Sequence, residues 1–218
     1  MLKFPASTIV DKIIPKNSFE EFASSKQKKM LSSLVARIKW LNKISTQTVN
    51  LQGKDVVEIQ VFELELKEKS NINELLLLIS KIIPYQIIFV LRFNEEVMYS
   101  ISKKHTHPTN ENQAVVDWTF STTWMSVQED QLEIALSNSL DYVFYDMCFK
   151  ISGKNNGNEN NIDILIQNEQ KLKQLNFSID KIATTMNKCK QFNKKVELNK
   201  NLLELKEEKL KIEDDFRE

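Results

Sequence analysis

The sequence predicts an α/β (α+β) domain with a mixed sheet of about four strands and flanking helices, followed by a long C-terminal coiled-coil helix or helical hairpin. Three observations carry this. An alternating segment, 56–66, and one over 86–91 that is apolar after Gln86 flank a helical stretch that Pro84 ends. The 218 residues include only three Gly and four Pro, too few for a loop-rich β-sandwich. Apolar residues then recur every three and four positions from Leu172 to Cys189, which is a heptad seam.

The elements follow in order. Ser7 is placed to cap a brief helix that Pro15 stops. Ser18 with Glu21 reads as a capping box, and Met30, Leu31, Leu34, Val35, Ile38 and Leu41 continue at helical spacing, with Trp40 as a core anchor. Val57, Ile59, Val61, Leu64 and Leu66 make a strand, with a bulge expected where Phe62 and Glu63 break the alternation. Asn71 or Asn73 caps a helix over 75–83. Gln86 to Leu91 is a strand buried on both faces, so strand, helix and strand form a βαβ unit. Asn94–Glu96 turns the chain into an antiparallel strand over 97–102. Residues 105–112 read as a loop, 115–121 as a fourth strand, and 132–149 as largely helical with a restart at Ser139 or Asp141.

This gives three parts: an α/β domain over 1–150, an Asn-rich linker over 151–161, and a coiled-coil tail over 162–218. The linker holds no apolar residue between Ser152 and Asn161 and cannot offset the entropy of its own ordering. In the tail, one seam comprises Leu172, Leu175, Ile179, Ile182, Met186 and Cys189, and a second runs through Leu198, Leu202, Leu205, Lys209, Ile212 and Phe216. The seams are out of phase across 190–196, so the tail is either one helix with a stutter or a hairpin. The absence of any turn residue but Asn favours the continuous helix. Such a seam needs a partner: its own second half, a second copy, or another helix. The interface expected is Leu172, Leu175, Ile179, Ile182, Met186, Leu198, Leu202 and Leu205.

Charge excludes some functions and suggests others. Lys and Arg number 30 and Asp and Glu number 30, so the chain as a whole is not a basic nucleic-acid coat. The distribution is uneven: residues 171–200 carry 8 positive and 2 negative side chains. Lys26, Lys28 and Lys29 near the start, and Lys190, Lys194 and Lys195 in the tail, are the candidate phosphate contacts for DNA. The two cysteines form no paired motif, which fits reduced thiols in the cytoplasm. No apolar run is long enough to span a bilayer.

Reactive constellations are sparse. Glu65-Leu66-Lys67 after a strand matches the ExK element of PD-(D/E)xK nucleases, in which carboxylates bind a divalent metal and the Lys steers water. The upstream acid would be Asp55 or Glu58, both too close along the chain for a separate hairpin strand. An alternating solvated face gives the same pattern. Mg²⁺ enters only with this nuclease reading, and no other cofactor or metal is expected. His105 and His107 lack a third zinc ligand in sequence. No glycine-rich phosphate loop exists.

Five segments also resemble a known family in their order and spacing. They are Phe4–Thr8 with Ile14-Pro15-Lys16, Lys39–Ser45, Glu58–Leu64, Ile83–Phe89 and Lys190–Asn199. Together they look like the prokaryotic domain of unknown function 4391 family, across nearly the whole chain, with the Asn-rich linker as a local insertion. The resemblance implies no catalytic residue. It implies a non-catalytic accessory or adaptor role in a restriction-like or anti-phage defence assembly, with a helicase or DNA methyltransferase among the partners.

Overall fold

The computed structural model describes residues 2–154 and 161–214, without the side chains of 111 and 112. They fall into two units, one through Gly153 and one from Lys154 onward. In the first, a short 3₁₀ turn leads into β1 (Ile9–Ile14), and a 3₁₀ segment (Lys16–Phe22) precedes α1 (Ser25–Leu34). Then come β2 (Val35–Ser45), the short α2 (Thr46–Val49), β3 (Glu58–Leu66), α3 (Asn73–Ile82), β4 (Gln86–Phe93) and β5 (Glu96–His107). The unit ends with β6 (Asn110–Ser121), β7 (Met125–Ser126) and α4 (Leu140–Ser152).

The sheet has seven strands in the order β1-β2-β3-β4-β5-β6, with β7 on β5. Only β3 and β4 are parallel, as their connection through α3 requires, and all other pairs are antiparallel. The mixed α+β fold is as expected, but the strand count exceeds four. β1 was expected as helix, and so was β2.

The β2 error has a physical cause. Register shifts lie between Val35 and Arg37 and between Trp40 and Asn42. Each bulge adds a residue to the period of two, so Val35, Ile38 and Leu41 fall three apart and imitate a helix. The helix stops at Leu34 because the chain beyond it pairs with β1 on one side and β3 on the other. The bulge expected on β3 at Phe62 is therefore on β2, directly across from it. The capping box lies at Ser24 and Gln27, where Ser24 Oγ accepts from the Gln27 N–H at 3.3 Å, and not at Ser18 and Glu21. The helix expected from Leu132 begins at Leu140, capped by Ser139, whose Oγ accepts from Tyr142 N–H at 3.1 Å.

One face of the sheet holds a core of Phe62, Leu64, Leu66, Ile87, Phe89 and Leu91 against Leu31 of α1 and Leu75, Leu76 and Ile79 of α3. Trp40 lies over Phe62 with ring centroids 6.3 Å apart and planes 17° from parallel. The loop ahead of β3 is tied to α4 by Asp141, whose carboxylate accepts from the N–H groups of Lys54 (2.7 Å), Asp55 (2.8 Å) and Val56 (2.9 Å). Burial alone would raise the Asp141 pKa, but these three donors outweigh it and hold the carboxyl below its ordinary value. The turn has no room for a Cβ at Gly53, which would lie 1.8 Å from the Val56 carbonyl oxygen. Asp141→Ala orphans three donors at once and should cost about 2 kcal/mol or more, read as a lower urea midpoint. Because the folded pKa is depressed, this contribution is present above the unfolded carboxyl value and fades as pH falls below it.

The second unit is a helical hairpin of α5 (Ile162–Lys188) and α6 (Phe192–Asp214). The continuous helix favoured by the sequence does not form. Cys189 is extended (φ −76°, ψ 128°) and the chain reverses over 189–191. At about 100° per residue, a straight helix would turn Leu198 roughly 80° away from Leu172, leaving one seam uncovered. Reversal instead packs Leu172 and Leu175 against Leu205 and Ile212, and Lys171 pairs with Glu208 at 2.8 Å. The linker expected over 151–161 overlaps the last turn of α4, and its residues 155–160 lie outside the described residues.

Candidate functional site

On the sheet of the α/β unit, several charged side chains pair across neighbouring strands. Register places Arg37 opposite Glu65 and Lys39 opposite Glu63. Arg37 pairs with Glu65 at 2.8 Å, Lys39 with Asp11, and Arg92 reaches Glu63 at 3.5 Å. The nuclease candidates do not gather. Glu58 and Glu65 are seven positions apart on one strand, so they point to opposite faces and lie roughly 23 Å apart. Glu58 pairs with Lys43 at 2.7 Å. Lys67 Nζ donates to the Ser32 carbonyl at 2.8 Å, and Asp55 sits in the loop clamped by Asp141. Among the described residues, no group of three or more His, Cys, Asp and Glu is placed to hold a metal ion. His105 meets Asp117 at 2.8 Å, and His107 Nδ1 accepts from the Thr109 N–H at 3.3 Å.

A cleft of about 380 Å³ opens between the N-terminal arm and the sheet, lined by Leu2, Phe4, Ile9, Leu41 and Val90 with Asp11 and Asn42. Its polar groups are occupied: Asn42 Nδ2 donates to Thr8 Oγ1 at 2.9 Å and Asp11 holds Lys39.

One group escaped the sequence reading. Lys104 is buried at 4% exposure, and its Nζ donates to the carbonyls of Ser80 (2.9 Å) and Ile83 (2.5 Å) at the end of α3. Burial pushes its pKa down to about 7. Alternation along the strand does not reveal it, because the register of β5 on β6 shifts between Lys103 and Lys104.

Of the expected interface, Leu172, Leu175 and Leu202 are buried, and Ile179, Ile182, Met186, Leu198 and Leu205 are half-buried, while Phe216 of the second seam lies outside the described residues. Leu172, Leu175 and Leu205 share one apolar cluster with Ile212 inside the hairpin. Reversal at Cys189 also concentrates positive charge at the turn. Lys181, Lys188, Lys190, Lys194 and Lys195 are exposed and form no ion pair among the described residues. Phe192, the first residue of α6, stands beside the turn at 78% exposure. In the α/β unit, Lys28 and Lys29 are exposed, while Lys26 is bound to Glu74 at 2.5 Å.

The domain-of-unknown-function family model DUF4391 matches residues 2–208. The chain belongs to the DUF4391 family. No curated protein and no solved structure matches it. The match extends through the basic turn and most of α6, so the hairpin end is part of the DUF4391 unit and not an appendage to it. No described helix of this DUF4391 protein is long and apolar enough to cross a membrane.

The arrangement supplies a polyanion with ammonium groups unpaired among the described residues and with one aromatic face. Lysine side chains neutralise phosphates without reading sequence, and exposed aromatic rings offer stacking surfaces to unpaired bases. The sequence alone marks Lys188, Lys190, Lys194, Lys195 and Lys200 as a basic tail segment, and the hairpin adds Lys181 on the facing helix.

Proposed function

We propose that this DUF4391 protein is a non-catalytic accessory protein, an adaptor whose contact arm is the basic end of the α5–α6 hairpin and whose partner there is nucleic acid. The observation behind it is the set of five exposed lysines without an acidic partner among the described residues, in a chain whose total charge is zero. A solvated surface that needs no partner is normally laced with opposite charge, as the base of the same hairpin is at Lys171 and Glu208. The family resemblance supports placing this adaptor in a restriction-like or defence assembly, beside a helicase or methyltransferase.

The test is fluorescence anisotropy with a labelled duplex and a labelled single strand. Reversing Lys188, Lys190, Lys194 and Lys195 to Glu should weaken binding at low salt by 100-fold or more (each lost phosphate contact removes about one released counterion). Equal binding by the variant overturns the assignment of the hairpin end. The nuclease alternative, with Glu65 and Lys67, predicts Mg²⁺-dependent cleavage that Lys67→Ala abolishes. The adaptor reading predicts the same background for both proteins.

A further inference from the structure

The α6 helix carries a second apolar stripe that the hairpin does not use. Phe192, Val196, Leu203 and Leu210 are 78%, 55%, 53% and 53% exposed. Their spacing is 4, 7 and 7. At about 100° per residue all four fall within roughly 40° of one another, and roughly 130° around the helix from the residues that face α5. A stripe this narrow over five turns has the geometry of a helix–helix seam. Scattered exposed apolar residues would not keep the period.

Charge along the same helix selects the occupant. The start of α6 has a positive excess, with Lys194, Lys195 and Lys200 against Glu197. Its second half has a negative one, with Glu204, Glu207, Glu208, Glu213 and Asp214 against Lys206, Lys209 and Lys211. Within the chain Glu208 and Glu213 already pair with Lys171 and Lys209, and Lys200 reaches Glu204 at 4.0 Å, while Glu207 forms no ion pair among the described residues. Laid antiparallel on a second α6, with the two-fold axis at Leu203, Val196 meets the second copy's Leu210. Lys200 then lies beside the second copy's Glu207, and the reciprocal pair forms by symmetry. A parallel pair would instead bring Lys200 against the second copy's Lys195, which repels. The pattern is therefore self-complementary in one orientation only, as an isologous interface requires.

We propose that the outer face of α6, through Val196, Leu203 and Leu210, docks antiparallel on the α6 of a second copy of this chain. This surface is distinct from the inner seam that the hairpin consumes. The proposal stands independently of nucleic-acid binding, and it is tested without nucleic acid.

The experiment is light scattering of the full chain at tens of micromolar, with variants at exposed positions. Wild type should give twice the chain mass, and Leu203→Glu should give the single-chain mass with unchanged far-UV circular dichroism. Lys200→Glu should weaken the dimer at least tenfold, and Lys200→Glu with Glu207→Lys should restore it. For orientation, both native cysteines are replaced by Ser, and Val196→Cys chains are mixed with Leu210→Cys chains. Disulfide-linked mixed dimers are expected under oxidation. A monomeric wild type overturns the proposal. So does a dimer insensitive to Leu203→Glu, a charge swap that restores nothing, or cross-linking only within each variant.

Discussion

Leu175→Asp should unfold the hairpin while leaving the sheet intact. Leu175 is buried at 6% exposure against Leu172 and Ile212. The substitution removes its apolar contacts and places a carboxylate in the seam, and either effect alone costs about 2–5 kcal/mol. An isolated two-helix hairpin has little stability in reserve, because helices of this length are marginal without their packed face. The expected readout is a loss of helical ellipticity at 222 nm and rapid proteolysis within 162–214, with the α/β unit still unfolding cooperatively in urea. Leu203→Glu, on the outer face of the other helix, should change neither readout. If Leu175→Asp keeps full helicity and protease resistance, the seam is not where the helices meet.

Lys104 should make the protein more stable as pH rises from neutral into the alkaline range. Its folded pKa is depressed to about 7 by burial. An unfolded lysine holds its proton to about 10.4. Between those values the unfolded chain binds the extra proton, so stability climbs with pH, and below about 7 both states are charged and the gain is absent. At about 1.4 kcal/mol per pH unit, the full window is worth on the order of 3–5 kcal/mol. Cys148 acts in the opposite direction: its thiol is fully buried and pushed up, so exposing it in alkali favours unfolding. Comparing wild type with Lys104→Met cancels that contribution. The urea midpoint of wild type should rise between pH 7 and pH 9.5 relative to the variant. A constant difference between the two would mean that Lys104 stays protonated in the fold.

The fold class was legible because it rests on burial patterns that one residue cannot disguise. The β4 run is buried on both sides, and α3 has the length needed to return the chain in parallel. The strand count was not legible because bulges in β2 lengthen its period to three, which a pattern reader takes for a helix. β1 was missed because it is an edge strand with Ile9 and Ile13 exposed, and a strand with no buried face leaves no alternation. The hairpin was missed because its turn at Cys189-Lys190-Gln191 contains neither Gly nor Pro. Only the phase slip between the two seams recorded it. Of the candidate surface, the tail lysines were readable as a charge run, but their convergence was not, since it depends on the reversal. Asp55, Glu58, Glu65 and Lys67 share a segment of sequence without sharing a place in space.

If the basic hairpin end grips a nucleic-acid backbone, as proposed, the salt dependence of binding reports that contact directly. The affinity of the full chain for duplex DNA should be measured by anisotropy from 50 to 300 mM salt. Four or five lysine–phosphate contacts predict a slope of log K against log salt of about −4, reduced towards zero when Lys188, Lys190, Lys194 and Lys195 are reversed to Glu. A flat salt dependence, or a slope that the reversal leaves unchanged, contradicts the account.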